Sequence, residues 1–149
     1  MSNTYSRMFF HCIWGTKNRY PSLLPIFDKE VHALIKNHIE KKGGKVLAIG
    51  GSIDHVHVLI SMKPTTLMSD LIQQAKGGTT RIIRELFTDK KHFFWQRGSG
   101  IFSIRYSDVN VVSKYIQNQA IHHKTNSFES EFRALLKLNG FNDSEDFLD

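Results

Sequence analysis

The first half of the chain alternates between β-type and helical spacing of its apolar residues. Residues 5–16 are rich in aromatic and β-prone side chains, which predicts a strand. Apolar residues recur at helical spacing over 27–42, and because a glycine pair follows, we expect a helix that ends there. Residues 45–50 and 55–62 are apolar segments on either side of a short polar turn, a pattern typical of adjacent antiparallel strands.

A second helix is predicted to begin after Pro64, with Thr65 or Thr66 as its N-cap. Its apolar positions are interrupted at Gly77 and Gly78, where glycine disfavours helix. We therefore expect a break at this pair, after which the helix resumes for about two further turns.

The last third of the chain predicts strands followed by helices. Residues 93–106 are aromatic with glycines inside, which predicts two short strands around a turn. Asp108 is the predicted N-cap of a third major helix that runs to about His123, and residues 127–138 predict a final amphipathic helix. The order β-α-β-β-α-β-α predicts an α+β sandwich in which helices pack on one face of an antiparallel sheet.

Two histidines interrupt the apolar strand predicted at 55–62. Because side chains alternate between the faces of a strand, His55 and His57 point to the same side, about 7 Å apart along the strand. Two imidazoles on one face can converge on one divalent metal ion, and a third ligand must then come from elsewhere in the fold. The alternative is a pair of polar residues on a half-exposed strand, although the rest of this strand is strongly apolar.

The predicted helix that begins at Asp108 carries a second pattern beside its apolar stripe. Tyr115 and Gln119 are four residues apart and are therefore stacked neighbours on the helix surface. The amide can supply an oxygen ligand to a metal ion, and the phenol is a plausible nucleophile for a covalent intermediate. The alternative is a boundary aromatic residue beside a solvated glutamine.

Length, cysteine content and hydropathy narrow the class of protein. The 149 residues fit one domain, with a body at about 5–124 and an acidic, helical C-terminal tail at 126–149. The single cysteine, Cys12, excludes a disulfide framework and a Cys-based zinc finger. No apolar run reaches the roughly 18 residues that span a bilayer, and the N-terminus lacks the features of a signal peptide. We therefore expect a cytoplasmic protein that has no membrane partner.

The net charge of +6 is unevenly distributed along the chain. Residues 1–125 carry 18 Lys and Arg against 8 Asp and Glu, whereas residues 126–149 carry 2 against 6. A body with a net charge of +10 favours a polyanionic partner such as a nucleic acid.

The order and spacing of these motifs resemble a known family. His55-Val56-His57, followed some sixty residues later by Tyr115-Ile116-x-Asn118-Gln119 and His122-His123, is similar to the single-tyrosine transposases of insertion sequence 200/605, in the HUH nuclease superfamily. The likeness runs from about residue 5 to residue 124. Further matching segments are His11, Lys17-x-Arg19, Ile53-Asp54, Lys76-Gly77, Trp95-Gln96 and Phe102-Ser103. One departure is Gly98-Ser99-Gly100, where the family commonly has an aromatic residue between the glycines.

The resemblance implies both a fold and a reaction. The fold is a ferredoxin-like or palm-like α+β sandwich with the His pair on a central strand, in a homodimer whose tyrosine helices can complete each other's sites. The reaction is cleavage and rejoining of single-stranded DNA at insertion-sequence ends, with recognition of hairpin DNA. By the resemblance, Tyr115 is the nucleophile that forms a 5′-phosphotyrosine, and His55, His57 and Gln119 hold a divalent metal ion, Mg²⁺ or Mn²⁺.

The nucleophile assignment leaves one chemical requirement open. An unperturbed tyrosine titrates near pH 10, so at neutral pH the hydroxyl of Tyr115 needs a group that takes its proton. The sequence does not identify this group. It also leaves open whether the active site assembles within one chain or between two chains, and whether the parent element is mobile.

Basic and aromatic residues between Lys76 and Arg105 are candidates for DNA contact, because cations bind phosphates and aromatic rings stack on bases, and Lys17 and Arg19 form a second candidate patch. Phe93, Phe94 and Trp95 lie among them, although such residues are more often part of the core. We also consider His11 a candidate position near the site, and we expect His122 and His123 to be solvated or close to DNA. The candidate DNA-binding cations are Lys17, Arg19, Lys76, Arg81, Arg84, Arg97 and Arg105.

Three alternatives to an insertion-sequence transposase remain. One is a metal-dependent nuclease that uses water in place of tyrosine. Another is a domesticated, non-catalytic DNA-binding relative, although the intact His55, His57, Tyr115 and Gln119 argue against it. The last is a tyrosine HUH endonuclease associated with chromosomal repeats.

Overall fold

The computed structural model describes residues 4–119 and 127–142. Four strands form one antiparallel sheet in the order β2-β3-β1-β4. The strands are β1 (Met8–Gly15), β2 (Lys45–Ser52), β3 (His55–Met62) and β4 (Gly100–Ile104). Helices pack on this sheet, so the predicted α+β class is confirmed, with the His pair on a central strand.

Four helices accompany the sheet within the described residues. They are α1 (Asp28–Lys41), α2 (Met68–Leu86), α3 (Val109–Gln117) and α4 (Phe128–Leu138). Short 3₁₀ turns span Lys17–Arg19, Thr88–Lys90 and Tyr106–Asp108. None of the described helices is long and apolar enough to cross a bilayer.

One face of β3 builds the main core. Val56, Val58 and Ile60 are fully buried and pack in one cluster with Trp14 of β1 and with apolar residues of α1 and α2. These three residues alternate along the strand with His55 and His57, as the spacing predicts. Burial of this many branched side chains is the principal stabilising contribution to the fold.

Helices cover the other face of the sheet as well, so the expectation of helices on one face only is wrong. α3 packs there through Ile116, in a cluster with Leu59. α4 packs there through Phe128 and Phe132, in a cluster with Ile13. The physical reason is that β3 carries side chains that need burial or partners on both faces, so a sheet open on one side would leave Leu59 and the histidines in water.

Two glycines on the neighbouring strands let these helices approach the histidines. Gly50 of β2 pairs with His57, and a Cβ at this position would lie 2.2 Å from the carbonyl oxygen of Ile116 in α3. Gly15 of β1 pairs with His55, and a Cβ there would lie 2.7 Å from the ring of Phe128 in α4. Such contacts are not tolerated, so the missing side chains set how closely α3 and α4 lie on the sheet.

The second helix differs from the sequence prediction at two points. α2 continues through Gly77 and Gly78 without a break. A Cβ at Gly78 would lie 2.3 Å from Nε2 of His38 in α1, so this glycine serves close helix packing and does not end the helix. The N-cap is Leu67, with no side-chain hydrogen bond, in place of the predicted threonines.

The segment 93–106 forms one strand, β4, in place of the two predicted. Its first part leaves the sheet after an isolated pairing between Thr16 and Trp95. The buried Lys76 holds the connecting loop, because its ammonium donates to the carbonyl oxygens of Arg97 and Gly98 and to the hydroxyl of Ser99. These contacts hold the loop against α2, so the backbone of the loop does not pair with the sheet.

The beginnings of the last two helices differ in their caps. Asp108 precedes α3 but makes no side-chain cap, and its carboxylate lies 3.6 Å from Nε of Arg105. Ser127 caps α4, because its hydroxyl accepts a hydrogen bond from the amide of Ser130. The prediction of one helix that runs to about His123 is wrong, because α3 ends at Gln117 and Asn118 is its C-cap. Residues 120–126 lie outside the described residues.

Candidate active site

The two histidines of β3 are fully buried and lie side by side. Their ring centroids are 5.2 Å apart, and the planes meet at 76°. Phe128 of α4 stacks on His55, with 4.6 Å between the centroids. His55 and His57 therefore share one face of the sheet, as predicted. The helix that lies over His55 is α4, which follows α3 in the chain.

Asp54 fixes the orientation of His55. Nδ1 of the ring lies 2.8 Å from Oδ1 of Asp54, at the tip of the β2–β3 hairpin. A carboxylate only accepts hydrogen bonds, so Nδ1 carries the proton. In the neutral ring, Nε2 then presents its lone pair to the buried side of the site, which is the arrangement of a metal-binding histidine.

His11 of β1 contacts Nδ1 of His57, as Asp54 contacts Nδ1 of His55. Nε2 of His11 lies 2.7 Å from Nδ1 of His57, and the two rings stack at 5.0 Å. Burial, together with the neighbouring His57, lowers the pKa of His11 to about 3. His11 is therefore neutral at physiological pH and can accept the Nδ1 proton of His57, and Nε2 of His57 then presents its lone pair to the centre of the site.

α3 and the residues that directly follow it place Tyr115 and Gln119 against the histidines of the same chain. Oε1 of Gln119 lies 3.2 Å from Nε2 of His55. The ring of Tyr115 meets that of His57 edge-on, with 5.7 Å between the centroids. The structure thus brings His55, His57, Tyr115 and Gln119 together in one chain.

A fifth residue, Glu131 of α4, occupies the centre of the site, and sequence analysis does not predict it. Its Oε1 lies 2.9 Å from Nε2 of His57 and 3.4 Å from Nε2 of His55. Its Oε2 accepts hydrogen bonds from the Tyr115 hydroxyl and, at 3.1 Å, from Nε2 of Gln119. One carboxylate therefore contacts all four of the predicted residues.

The sequence does contain a signal for Glu131. Phe128, Phe132 and Leu136 form the apolar stripe of α4 at helical spacing, and all three are buried. Glu131 is three residues after Phe128 and therefore lies on the same side of the helix. An acidic residue inside an apolar stripe requires a polar or charged partner in the fold, and here the partners are the histidines, Tyr115 and Gln119.

The donor atoms of the site fit a divalent metal ion. Nε2 of a neutral His55 presents a lone pair, as do Oε1 of Gln119 and Oε1 of Glu131, so a cation between them would satisfy all three. Ligand atoms bound to one Mg²⁺ at about 2.1 Å in octahedral geometry lie about 3 Å apart. The observed distances are close to this value. Nε2 of His55 lies 3.2 Å from Oε1 of Gln119 and 3.4 Å from Oε1 of Glu131, and Nε2 of His57 lies 2.9 Å from Oε1 of Glu131. Among the described residues, His55, His57 and Glu131 form a cluster that can hold a metal ion.

The Tyr115 hydroxyl is protonated in this arrangement. Burial, and then the hydrogen bond to Glu131, raise the pKa of Tyr115 above its usual range. The hydroxyl faces a cleft of about 730 Å³ between β4, α3 and α4, whose lining includes Tyr115, Glu131 and His11. The Tyr115 hydroxyl and its hydrogen-bond acceptor Glu131 are therefore reachable from one side of the sheet.

The sequence matches a known family over most of its length. A family model described as "Transposase IS200 like" matches residues 4–119, which include the His pair, Tyr115 and Gln119. The chain belongs to the IS200-like transposase family. Members of this family are enzymes that act on DNA. The match ends before α4, so Glu131 lies outside the matched segment.

A curated relative and two solved structures agree with this assignment. The ISDra2 transposase TnpA of Deinococcus radiodurans is 24% identical over 117 residues, which cover 74% of this chain and 82% of the relative. A putative transposase from Deinococcus radiodurans R1 has the same fold, with a TM-score of 0.65, 19% identity and coverage of 80% of this chain and 95% of that one. A REP-associated tyrosine transposase bound to a REP hairpin aligns with a TM-score of 0.63 and 18% identity, over 99% of this chain and 93% of that one.

The candidate DNA-binding residues fall into different environments. Phe94 is about half exposed and lies between two cations, with Cζ of Arg84 3.8 Å and Nζ of Lys17 5.3 Å from its ring centroid. Lys76 is instead buried, and burial lowers its pKa to about 8. Phe93 and Trp95 are in the core. Arg81, Arg97 and Arg105 are exposed, and Arg19 is half-buried.

Asp54 provides a test of the histidine geometry. We expect Asp54→Ala to weaken Mn²⁺ binding by about 10- to 100-fold, because the ring of His55 loses the acceptor that holds Nδ1 protonated. Asp54→Asn retains a carbonyl acceptor and should show a smaller loss. Titration of Mn²⁺ followed by electron paramagnetic resonance measures both affinities, and an Asp54→Ala variant that binds Mn²⁺ like the wild type would contradict this role.

Proposed function

We propose that this protein cleaves and rejoins single-stranded DNA at insertion-sequence ends through a 5′-phosphotyrosine on Tyr115. The observation that carries the proposal is the position of the Tyr115 hydroxyl, which lies at a buried set of side chains that can hold a metal ion, in a chain of a transposase family. A hydroxyl held beside such a set can attack a phosphate that binds there.

Each residue of the site has a distinct part in this proposal. His55, His57 and Gln119 hold a divalent ion, Mg²⁺ or Mn²⁺, which supplies Lewis acidity toward a phosphate oxygen. Tyr115 attacks the phosphorus, and the 3′-hydroxyl is released. Because the bond to tyrosine preserves the energy of the broken phosphodiester, the released strand can be replaced by another 3′-hydroxyl without an external energy source.

The DNA strand would lie along the basic surface around Phe94. An exposed ring between Lys17 and Arg84 combines a stacking platform with cations for the phosphates. A cleft of about 660 Å³ continues from Phe94 past Arg97. We propose hairpin or single-stranded DNA as the ligand of this surface, in keeping with the positive charge of the chain.

A repeat-associated tyrosine endonuclease is the alternative reading. The fold of the REP-associated tyrosine transposase extends over nearly the whole of this chain, which includes α4. The chemistry at Tyr115 is the same in both readings, so the captured DNA sequence separates them.

Tyr115→Phe provides the test of the nucleophile. With a library of single-stranded hairpin DNA and Mn²⁺, we expect the wild type to form a covalent protein–DNA adduct and Tyr115→Phe to form none, because it lacks the attacking oxygen. His57→Ala should retain DNA binding and lose metal-dependent cleavage. Denaturing electrophoresis detects the adduct, and sequencing of the attached DNA identifies the substrate.

The matched control is Tyr106→Phe, since Tyr106 is an exposed tyrosine that lies before α3. It should form the adduct like the wild type. Adduct formation by Tyr115→Phe would contradict the nucleophile, and cleavage without any adduct would favour a nuclease that uses water.

A mixture of two inactive variants distinguishes assembly within one chain from assembly between chains. We propose a homodimer whose sites are each complete in one subunit, because Tyr115 lies at the His pair of its own chain. Tyr115→Phe mixed with His57→Ala should then remain inactive at every ratio. Adduct formation by the mixture would show that the tyrosine acts on the partner's metal site, and a monomer by light scattering would contradict the dimer.

A further inference from the structure

Glu131 is positioned to link the metal-binding donors with the nucleophile. Its two carboxylate oxygens are used for different partners: Oε1 faces His55 and His57, and Oε2 accepts the hydroxyl hydrogen of Tyr115. The residue is buried, so the carboxylate has no layer of water that would weaken these contacts.

The position of Glu131 is determined by the packing of α4. Ser127 caps the helix, and Phe128 and Phe132 pack against the sheet on either side of Glu131 along the chain. Phe128 also stacks on His55. Since these contacts order the helix, the carboxylate is held in place before any substrate binds.

We propose that Glu131 is a catalytic residue that binds the metal ion through one oxygen and takes the proton of Tyr115 through the other. This inference rests on the proposed function. It supplies the proton acceptor that the sequence leaves open, and it places that acceptor on a helix beyond the segment matched by the family model.

The oxygen of Tyr115 forms a bond to phosphorus as its proton passes to Oε2 of Glu131. The bond between phosphorus and the 3′ oxygen breaks, and the 3′ oxygen leaves with the electron pair and takes a proton from water. Glu131 then releases its proton to solvent. In rejoining, an incoming 3′-hydroxyl attacks the phosphotyrosine and loses its proton to water, and Tyr115 regains a proton through the same carboxyl group.

The opposing interpretation is that α4 obstructs the site. A carboxylate oxygen between two imidazoles and another at the nucleophile also resemble the oxygens of a bound phosphate. If Glu131 only occupied the place of the substrate, its removal would speed the reaction. The two interpretations therefore predict opposite changes in rate.

The test compares Glu131→Ala and Glu131→Gln with Glu129→Gln. Glu129 is on the exposed side of the same helix, where it pairs with Arg133 at 3.3 Å, so its variant is a matched control. We expect both Glu131 variants to form the covalent adduct about 10²- to 10⁴-fold more slowly, the usual effect of losing a general base. Glu129→Gln should behave like the wild type. Glu131→Gln has nearly the shape of the wild type, so it separates loss of chemistry from loss of folding.

Two further measurements separate a chemical role from a structural one. Formate should partly restore adduct formation in Glu131→Ala, because it can occupy the space of the missing carboxylate and accept the proton. Mn²⁺ affinity, measured without DNA, should fall in both Glu131 variants and not in Glu129→Gln. This second measurement stands even if the wild type forms no adduct, a result that would count against the proposed function and not against the metal ligand.

The inference is overturned by any of three results. Adduct formation in Glu131→Ala as fast as in the wild type would exclude a catalytic role for Glu131, and faster formation would mean that α4 obstructs the site. A slow Glu131→Ala that formate does not improve would exclude the proton acceptor. Unchanged Mn²⁺ affinity in both Glu131 variants would exclude the metal ligand.

Discussion

The burial of two imidazoles on a central strand is the constraint on which the rest of the structure depends. His55 and His57 are fully buried, and a buried polar group must be partnered or it destabilises the fold. Asp54 contacts Nδ1 of His55 and His11 contacts Nδ1 of His57, so both Nε2 atoms are directed to the same point beneath α4. That place must contain groups that interact with them, and α3 and α4 bring those groups.

The residues around the histidines, on the face of the sheet that α3 and α4 cover, allow both helices to approach. Gly50 and Gly15 stand beside the histidines on the adjacent strands, where a side chain would keep the helices away. Ile116 and Phe128 then provide the apolar contacts that hold α3 and α4 down. The apolar packing thus supplies the stability, and it holds the polar groups at its centre in place before any ligand binds.

The sequence predicts the structure correctly where the spacing of residues within one strand or one helix is sufficient. Strand alternation predicts that His55 and His57 share a face, and helical spacing predicts that Tyr115 and Gln119 are neighbours. The prediction is wrong where tertiary contacts override local preference: the glycine pair in α2 permits contact with α1 and leaves the helix continuous. Glu131 was missed because no spacing within one helix or strand relates the acidic residues of the tail to His57 and Tyr115. Its place within an apolar stripe was the signal that distinguishes it from the others.

The central claim is that His55, His57 and Glu131 bind one metal ion beside Tyr115. Anomalous diffraction at the manganese absorption edge, from crystals of the protein grown with Mn²⁺, tests it most directly. The account predicts a single peak about 2.1 Å from Nε2 of both histidines and from a carboxylate oxygen of Glu131, with the Tyr115 hydroxyl still on the other carboxylate oxygen. A peak away from these atoms, or no peak at saturating Mn²⁺, would contradict it.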